Sequence, residues 1–141
     1  MTDIEQLIPH RKPFLYVDRL ISADKDGAVG EKTYHADEYF FAGHFPEYPV
    51  VPGVILVESM AQCGGAAARE AGFIKGEDLF FLATVENAKF RRQVRPGETA
   101  RFEIVNTRVG GPMIRQSGKV FIGDEIACEA SWMCLVGPAK K

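Results

Sequence analysis

Between Val50 and Ala68 the chain runs VVPGVILVESMAQCGGAAA, a nearly apolar stretch interrupted by a single carboxylate, Glu58. Pro52 suits the first turn of a helix, where its missing N–H would be orphaned in any case, so a helix is expected from about there. Val54, Ile55, Leu56, Val57, Met60, Ala61, Cys63, Ala66, Ala67 and Ala68 wrap every face of it. A helix that is apolar all round belongs inside something. Only Glu58, Ser59 and Gln62 interrupt it. Glu58 and Gln62 stand four apart and share a face, so one wet or ligand-lined stripe can serve both. That face is the candidate wall of an active site.

The run approaches the roughly 20 residues that a bilayer requires. A carboxylate, an amide and an early proline within it, with Arg69 and Glu70 just beyond, describe a soluble core helix better than a membrane span. The N-terminus, MTDIEQLIPHRKP, places acids before its basic residues and has no long apolar core, so no secretory signal is expected there. Cytoplasmic residence follows as the expectation. With 141 residues and 46% hydrophobic content, a single domain over residues 1–141 with a sizeable core is expected. Cys63, Cys128 and Cys134 form an odd set without metal-ligand spacing, which predicts buried thiols and neither a disulfide framework nor a metal site. A net charge of -2 excludes a globally basic nucleic-acid binder. Lys89, Arg91, Arg92 and Arg95 nevertheless concentrate positive charge, either to meet an acidic partner or to protect a strand edge.

Repeats and low-complexity linkers are absent, and the GPAKK tail has the composition of a frayed terminus. A short helix is expected around Asp3 to Leu7. FLYVDRLISAD and GAVGEKTYHA have strand composition and are separated by the turn signal Lys25 to Gly27, which predicts a hairpin. Beyond the apolar helix, Leu79 to Arg91, Ala100 to Arg108, Met113 to Ile122 and Glu125 to Leu135 are β-rich runs punctuated by PGET, GGP and GD. A mostly antiparallel sheet of about six strands with one long apolar helix has a natural solution, in which the sheet curls around the helix and buries it. The fold class is α+β.

Among the three histidines, His44 lies in the proline-punctuated segment GHFPEYP just before the apolar run. A lone histidine is more often a satisfied side chain that locks a loop. Glu58 shifts that balance, because a buried carboxylic acid needs a hydrogen-bonding partner and no basic residue lies within the helix run to serve. His44 and Glu58 are the candidate catalytic pair. His10 and His35 have no comparable acidic, apolar setting and are expected to be ordinary surface or turn residues. Gln62 is a candidate for orienting Glu58 or a water, although an amide facing a sheet carbonyl looks identical in sequence.

Three segments, IPHRKPFLYVDRL, GHFPEYPVVPGVILVESMAQ and ACEASWMC, resemble the β-hydroxyacyl-acyl carrier protein dehydratases of bacterial fatty-acid synthesis, the FabZ type. In order and spacing they span nearly the whole chain; Lys12, Tyr16, Ser59 and Met60 depart from the residues most usual in that family. The resemblance implies the hot-dog fold, a curved antiparallel sheet wrapped around one long central helix. It implies dehydration of (3R)-3-hydroxyacyl-acyl carrier protein to the trans-2-enoyl form, in fatty-acid or related acyl-chain synthesis. The family's catalytic histidine and glutamate carry over onto His44 and Glu58. It further implies no cofactor beyond the phosphopantetheine arm that brings the acyl chain, an acidic carrier protein for which Lys89, Arg91, Arg92 and Arg95 are docking candidates, and a homodimer. In that dimer each site takes its histidine from one chain and its acid from the other; trimers of such dimers also occur. No nucleic acid enters this picture.

The chemistry fits the residue types. Dehydrating a 3-hydroxyacyl thioester removes a weakly acidic C2 proton and expels hydroxide, so one base and one acid are needed. An imidazole with an ordinary pKa near ~6.5 is a competent base at neutral pH, and well-placed proton transfer contributes about 10² to 10⁴ in rate. A glutamate on a buried helix is expected to hold its proton through desolvation and so to serve the departing hydroxyl. Negative charge on the thioester oxygen can be met by backbone amides at the helix start, especially that of Gly53. Within one chain the loop from His44 to Pro52 reaches up to roughly 27 Å at ~3.4 Å per residue, so the sequence permits but does not force the pair to meet. The related isomerising dehydratases carry aspartate at the helix acid position, so the resemblance implies that Glu58 favours simple dehydration over added isomerisation. A hot-dog acyl thioesterase and a non-catalytic carrier-protein binding module are the alternatives.

Overall fold

A computed structural model describes residues 2–45 and 47–138. In chain order the elements are α1 (Ile4–Leu7), β1 (Arg19–Ala23), β2 (Gly27–Thr33), α2 (Tyr39–Gly43), α3 (Gly53–Glu70), β3 (Leu79–Phe90), β4 (Thr99–Gly110), β5 (Met113–Ile122) and β6 (Glu125–Gly137). The six strands form one antiparallel sheet in the order β1-β2-β4-β5-β6-β3, and α3 packs against every one of them. This is the hot-dog arrangement, with the apolar helix enclosed by the sheet.

The helix begins where the proline predicts. Pro52 is the N-cap residue, extended at ψ 140, and its carbonyl accepts the amides of Ile55 and Leu56. Within α3 every side chain from Ile55 to Ala68 is buried except that of Glu58, while Val54 at the start is 74% exposed. The helix stops at Gly72, whose φ of +90 lies in the left-handed region that glycine enters without strain. The amide of Phe73 then returns to the carbonyl of Ala68.

Alternation along β2, β5 and β6 sends every second side chain into the core, the period-2 signature of a half-buried strand. Phe102, Val120 and Cys128 lie in register across β4, β5 and β6 and are fully buried. Trp132 is also buried, and its indole N–H donates to Gln116 Oε1 at 3.1 Å; the Gln116 amide in turn donates to the Gly64 carbonyl and to Asn106 Oδ1. The buried polar group is therefore satisfied on both sides. The three cysteines are free and buried, and burial pushes each thiol up to about 12.

Two local features differ from the sequence expectation. Sheet pairing begins at Asp18 and Arg19, not at Phe14. Upstream, the Tyr16 N–H donates to Gln62 Oε1 at 2.8 Å and the Phe14 carbonyl accepts from Gln62 Nε2 at 3.0 Å. A helix side chain supplies the hydrogen bonds that a neighbouring strand would otherwise provide, so the segment runs extended outside the sheet. The short helix α2 is the second; Phe40 and Phe41 within it are buried and cover the core beside the site.

Candidate active site

Glu58 sits on the second turn of α3, where the helix emerges from the core. Its side chain keeps 22% of its surface exposed, and its Oε2 accepts a 3.0 Å hydrogen bond from Gln62 Nε2. Burial pushes the carboxyl above the usual range, and the bond from Gln62 only partly opposes this. Gln62 is itself wholly buried. Its carboxamide is fixed by the bonds to the Phe14 and Tyr16 backbone, so the donor it presents to Glu58 cannot swing away without breaking them.

His10 occupies the other side of the same carboxyl, with Nε2 3.8 Å from Glu58 Oε2. Its ring lies between those of Phe14 and Phe80, at centroid distances of 6.4 and 5.7 Å. The expectation of an ordinary surface or turn residue is thus wrong for His10. The flanking Leu7 and Ile8 are buried, and the helix they belong to and follow packs against α3. His35 does lie in a turn, its amide capped by Glu38. Near the site, Tyr16 and Tyr39 share a 2.5 Å hydrogen bond between their hydroxyls. Burial pushes the Tyr16 phenol upward, with the bond to Tyr39 adding to it, so it stays protonated.

His44 follows α2 directly. Its Nδ1 lies 3.1 Å from the Val50 carbonyl. A carbonyl can only accept, so Nδ1 carries the proton and donates, which leaves Nε2 with a free lone pair. The next residue, Phe45, turns the chain at a φ of 55 and packs its ring 4.3 Å from the imidazole. A left-handed aromatic residue costs about 1–2 kcal/mol, and here the strain sits beside a candidate catalytic group. Among the described residues His44 and Glu58 make no hydrogen bond or ion pair with each other: within one protomer the base-type and acid-type groups have separate partners.

Gly53 is the first residue of α3, where the opening amides have no intrahelical acceptor. A Cβ at Gly53 would stand 2.7 Å from Phe90 Cε1, so the missing side chain lets the Phe90 ring approach. In the basic segment, Arg91 pairs with Glu129, and Arg92 pairs with both Glu98 and Glu125. Arg95 stacks over the Tyr48 ring at 4.5 Å. Among the described residues only Lys89 and Arg95 of the four lack a carboxylate within ion-pair distance. A cavity of about 530 Å³ lies elsewhere, lined by Lys12, Leu15, Tyr39 and the ion pair of Lys32 with Glu38; neither His44 nor Glu58 lines it. Among the described residues no three His, Cys, Asp or Glu side chains converge as metal ligands, and no helix is long and apolar enough to cross a membrane.

The chain is 43% identical over 139 residues to the 3-hydroxyacyl-[acyl-carrier-protein] dehydratase FabZ of Bacillus cereus strain AH187, covering 98% of this chain and 96% of that protein. It is 42% identical, over the same shares, to FabZ of Bacillus thuringiensis strain Al Hakam. The dehydratase heterocomplex ApeI:P from Xenorhabdus doucetiae contains a chain that superposes with a TM-score of 0.82 at 13% identity, over 99% of this chain and 93% of that one; at that identity the likeness concerns the fold. The FabA-like domain model matches residues 8–131, a span that holds His10, His44, Gly53, Glu58 and Gln62, and the chain belongs to that family.

Proposed function

We propose that this protein dehydrates (3R)-3-hydroxyacyl-acyl carrier protein to the trans-2-enoyl thioester, as part of fatty-acid or related acyl-chain synthesis in the cytoplasm. The observation that carries this reading is a carboxyl held on an otherwise buried helix, pushed toward its protonated form by desolvation and with its orientation fixed by Gln62, in a chain with near-full-length FabZ relatives. His44 Nε2 takes the C2 proton. Glu58 gives its proton to the departing hydroxyl, and water leaves. The Gly53 amide, at the positive end of α3, stabilises the thioester oxygen as charge develops there. The elimination is redox-neutral, so a base and an acid suffice without a cofactor; the acyl chain arrives on the carrier's phosphopantetheine.

The pair is completed by a second copy of the chain. Among the described residues β3 has no neighbour in the sheet on its outer side, and Phe81, Leu82, Val85 and Phe90 along it are 40–56% exposed. A long apolar edge of this kind is a liability unless it is covered. Pairing of β3 with β3 of a second copy covers it and extends the sheet across both protomers. His44 of one chain then serves Glu58 of the other, which agrees with the separation of the two groups within one protomer. For the acidic carrier protein, Lys89 and Arg95 are the cations without a carboxylate partner among the described residues, whereas Arg91 and Arg92 must first give up their glutamates.

Mass spectrometry of 3-hydroxyacyl carrier protein incubated with the purified protein tests the reaction. Loss of water with wild type, and not with folded His44→Ala or Glu58→Gln, is the expected result. Release of free thiol would replace this reading with a thioesterase. Carrier binding without any change in mass would replace it with a binding module.

A further inference from the structure

Glu58 is addressed by two side chains at one oxygen. Gln62 Nε2 donates to Oε2 at 3.0 Å, and His10 Nε2 stands 3.8 Å from the same atom. Oε1 accepts no side-chain donor among the described residues. Among the described residues the buried Nδ1 of His10 has no hydrogen-bond partner, and that orphan decides the tautomer. A proton on Nδ1 would leave a buried N–H donor without an acceptor, which native structures almost never tolerate. A proton on Nε2 leaves only a ring lone pair unmatched. The Nε2–H of His10 is therefore turned toward Glu58. At 3.8 Å it is too long for a hydrogen bond with the neutral carboxyl, yet catalytic contacts commonly tighten once charge develops.

We infer that His10 is a positioning residue for Glu58: its Nε2–H and the Gln62 amide together claim Oε2, direct the acidic proton to Oε1, and stabilise the carboxylate left after that proton is transferred. The inference rests on the reading of Glu58 as the acid. Its surroundings favour the role. Phe14 and Phe80 lie against the ring, at centroid distances of 6.4 and 5.7 Å, and help hold its plane. On its own segment Arg11 is committed to the backbone carbonyls of Glu5, Ile8 and His10 and to the Glu5 carboxylate at 3.7 Å. From α3 the acid facing His10 is Glu58, while Tyr16 and the Cys134 thiol feel Glu58 from other sides. Burial, with the Arg11 charge adding to it, holds the imidazole below its ordinary range, so it meets Glu58 as a neutral donor that does not compete for the role of acid.

The test titrates Glu58 directly, by carboxyl carbon NMR of the full-length protein, with the resonance assigned by its loss in Glu58→Gln. His10→Phe keeps a ring between Phe14 and Phe80 but removes the N–H. Hydrogen bonding favours the charged form, so its removal moves the Glu58 midpoint upward, by roughly half to one pH unit. The alkaline limb of kcat/KM should move with it. His10→Gln places an amide N–H near the position of Nε2 and should restore the wild-type midpoint. His10→Asn places its amide near Nδ1 and should behave as His10→Phe, which keeps the test decisive if the phenylalanine variant does not fold. An unchanged midpoint in the variants lacking the donor overturns the inference, whatever their activity. If the midpoint moves while Glu58→Gln still dehydrates substrate, the reading of Glu58 as the acid fails and the contact with His10 stands.

Discussion

In the C-terminal half of α3, residues 63–68, every residue is buried, and glycines stand where neighbours press in. A Cβ on Gly65 would lie 2.1 Å from Phe80 Cζ, and one on Gly64 would lie 2.2 Å from Gln116 Oε1. In the N-terminal half, Val54 is 74% exposed, Glu58 keeps a surface, and Gly53 opens the helix with free amides beside Phe90. The same helix is packing at one end and carries the proposed chemistry at the other. The first half tolerates a carboxyl held away from full hydration because the second half anchors it.

If that division is right, substitutions at the two ends should fail in different ways. The largest effect is expected at the exposed end: His44→Ala or Glu58→Gln should lower kcat by about 10² to 10⁴ while thermal unfolding stays near wild type. An equal mixture of the two variants, unfolded and refolded together, should recover about a quarter of wild-type activity, because half the dimers are mixed and each of those has one intact site. No recovery would place both groups of a site in one chain. At the packed end Gly65→Val should cost about 1–3 kcal/mol through overpacking against Phe80, read as a lower Tm with kcat per folded molecule retained. Equal loss of both would blur the division.

Smaller effects test the edges of the comparison. Val85→Lys on the free edge of β3 should weaken self-association by tenfold or more, seen by sedimentation at several concentrations, with activity falling alongside the dimer. The smallest effect concerns stability at Glu58. Burial raises its folded-state pKa above the unfolded value, so between the two the folded protein binds more protons than the unfolded chain. Stability therefore falls as pH rises through that window. Glu58→Gln should show a higher Tm than wild type at pH 8, and the gap should close as pH drops below the ordinary carboxylate range. A gap that persists at low pH would mean that packing is responsible and desolvation is not.

Much of this was legible along the chain. Local rules placed α3, whose start follows from Pro52 and whose interior follows from its composition. They placed β5 at its observed bounds and the hairpin of β1 and β2, because turn chemistry and period-2 alternation act over a few residues. Phe14 to Val17 escaped those rules, since strand composition says nothing of a helix glutamine that takes over the segment's backbone hydrogen bonds. His10 escaped for the same reason. Nothing local to HRK indicates that its ring will settle beside a carboxyl forty-eight positions away, between two phenylalanines from different parts of the chain.

The sequence by itself determined the enclosed helix, the antiparallel strands, and the presence of one histidine and one glutamate suited to proton transfer, because these depend on residue type and short-range periodicity. Tertiary structure alone decided what touches Glu58, which nitrogen of His44 is left free, which arginines of the basic segment already have partners, and that β3 ends the sheet with an apolar edge. Those are contacts between residues distant in the chain, and their energies exist only once the sheet has closed around α3 and excluded water from between them.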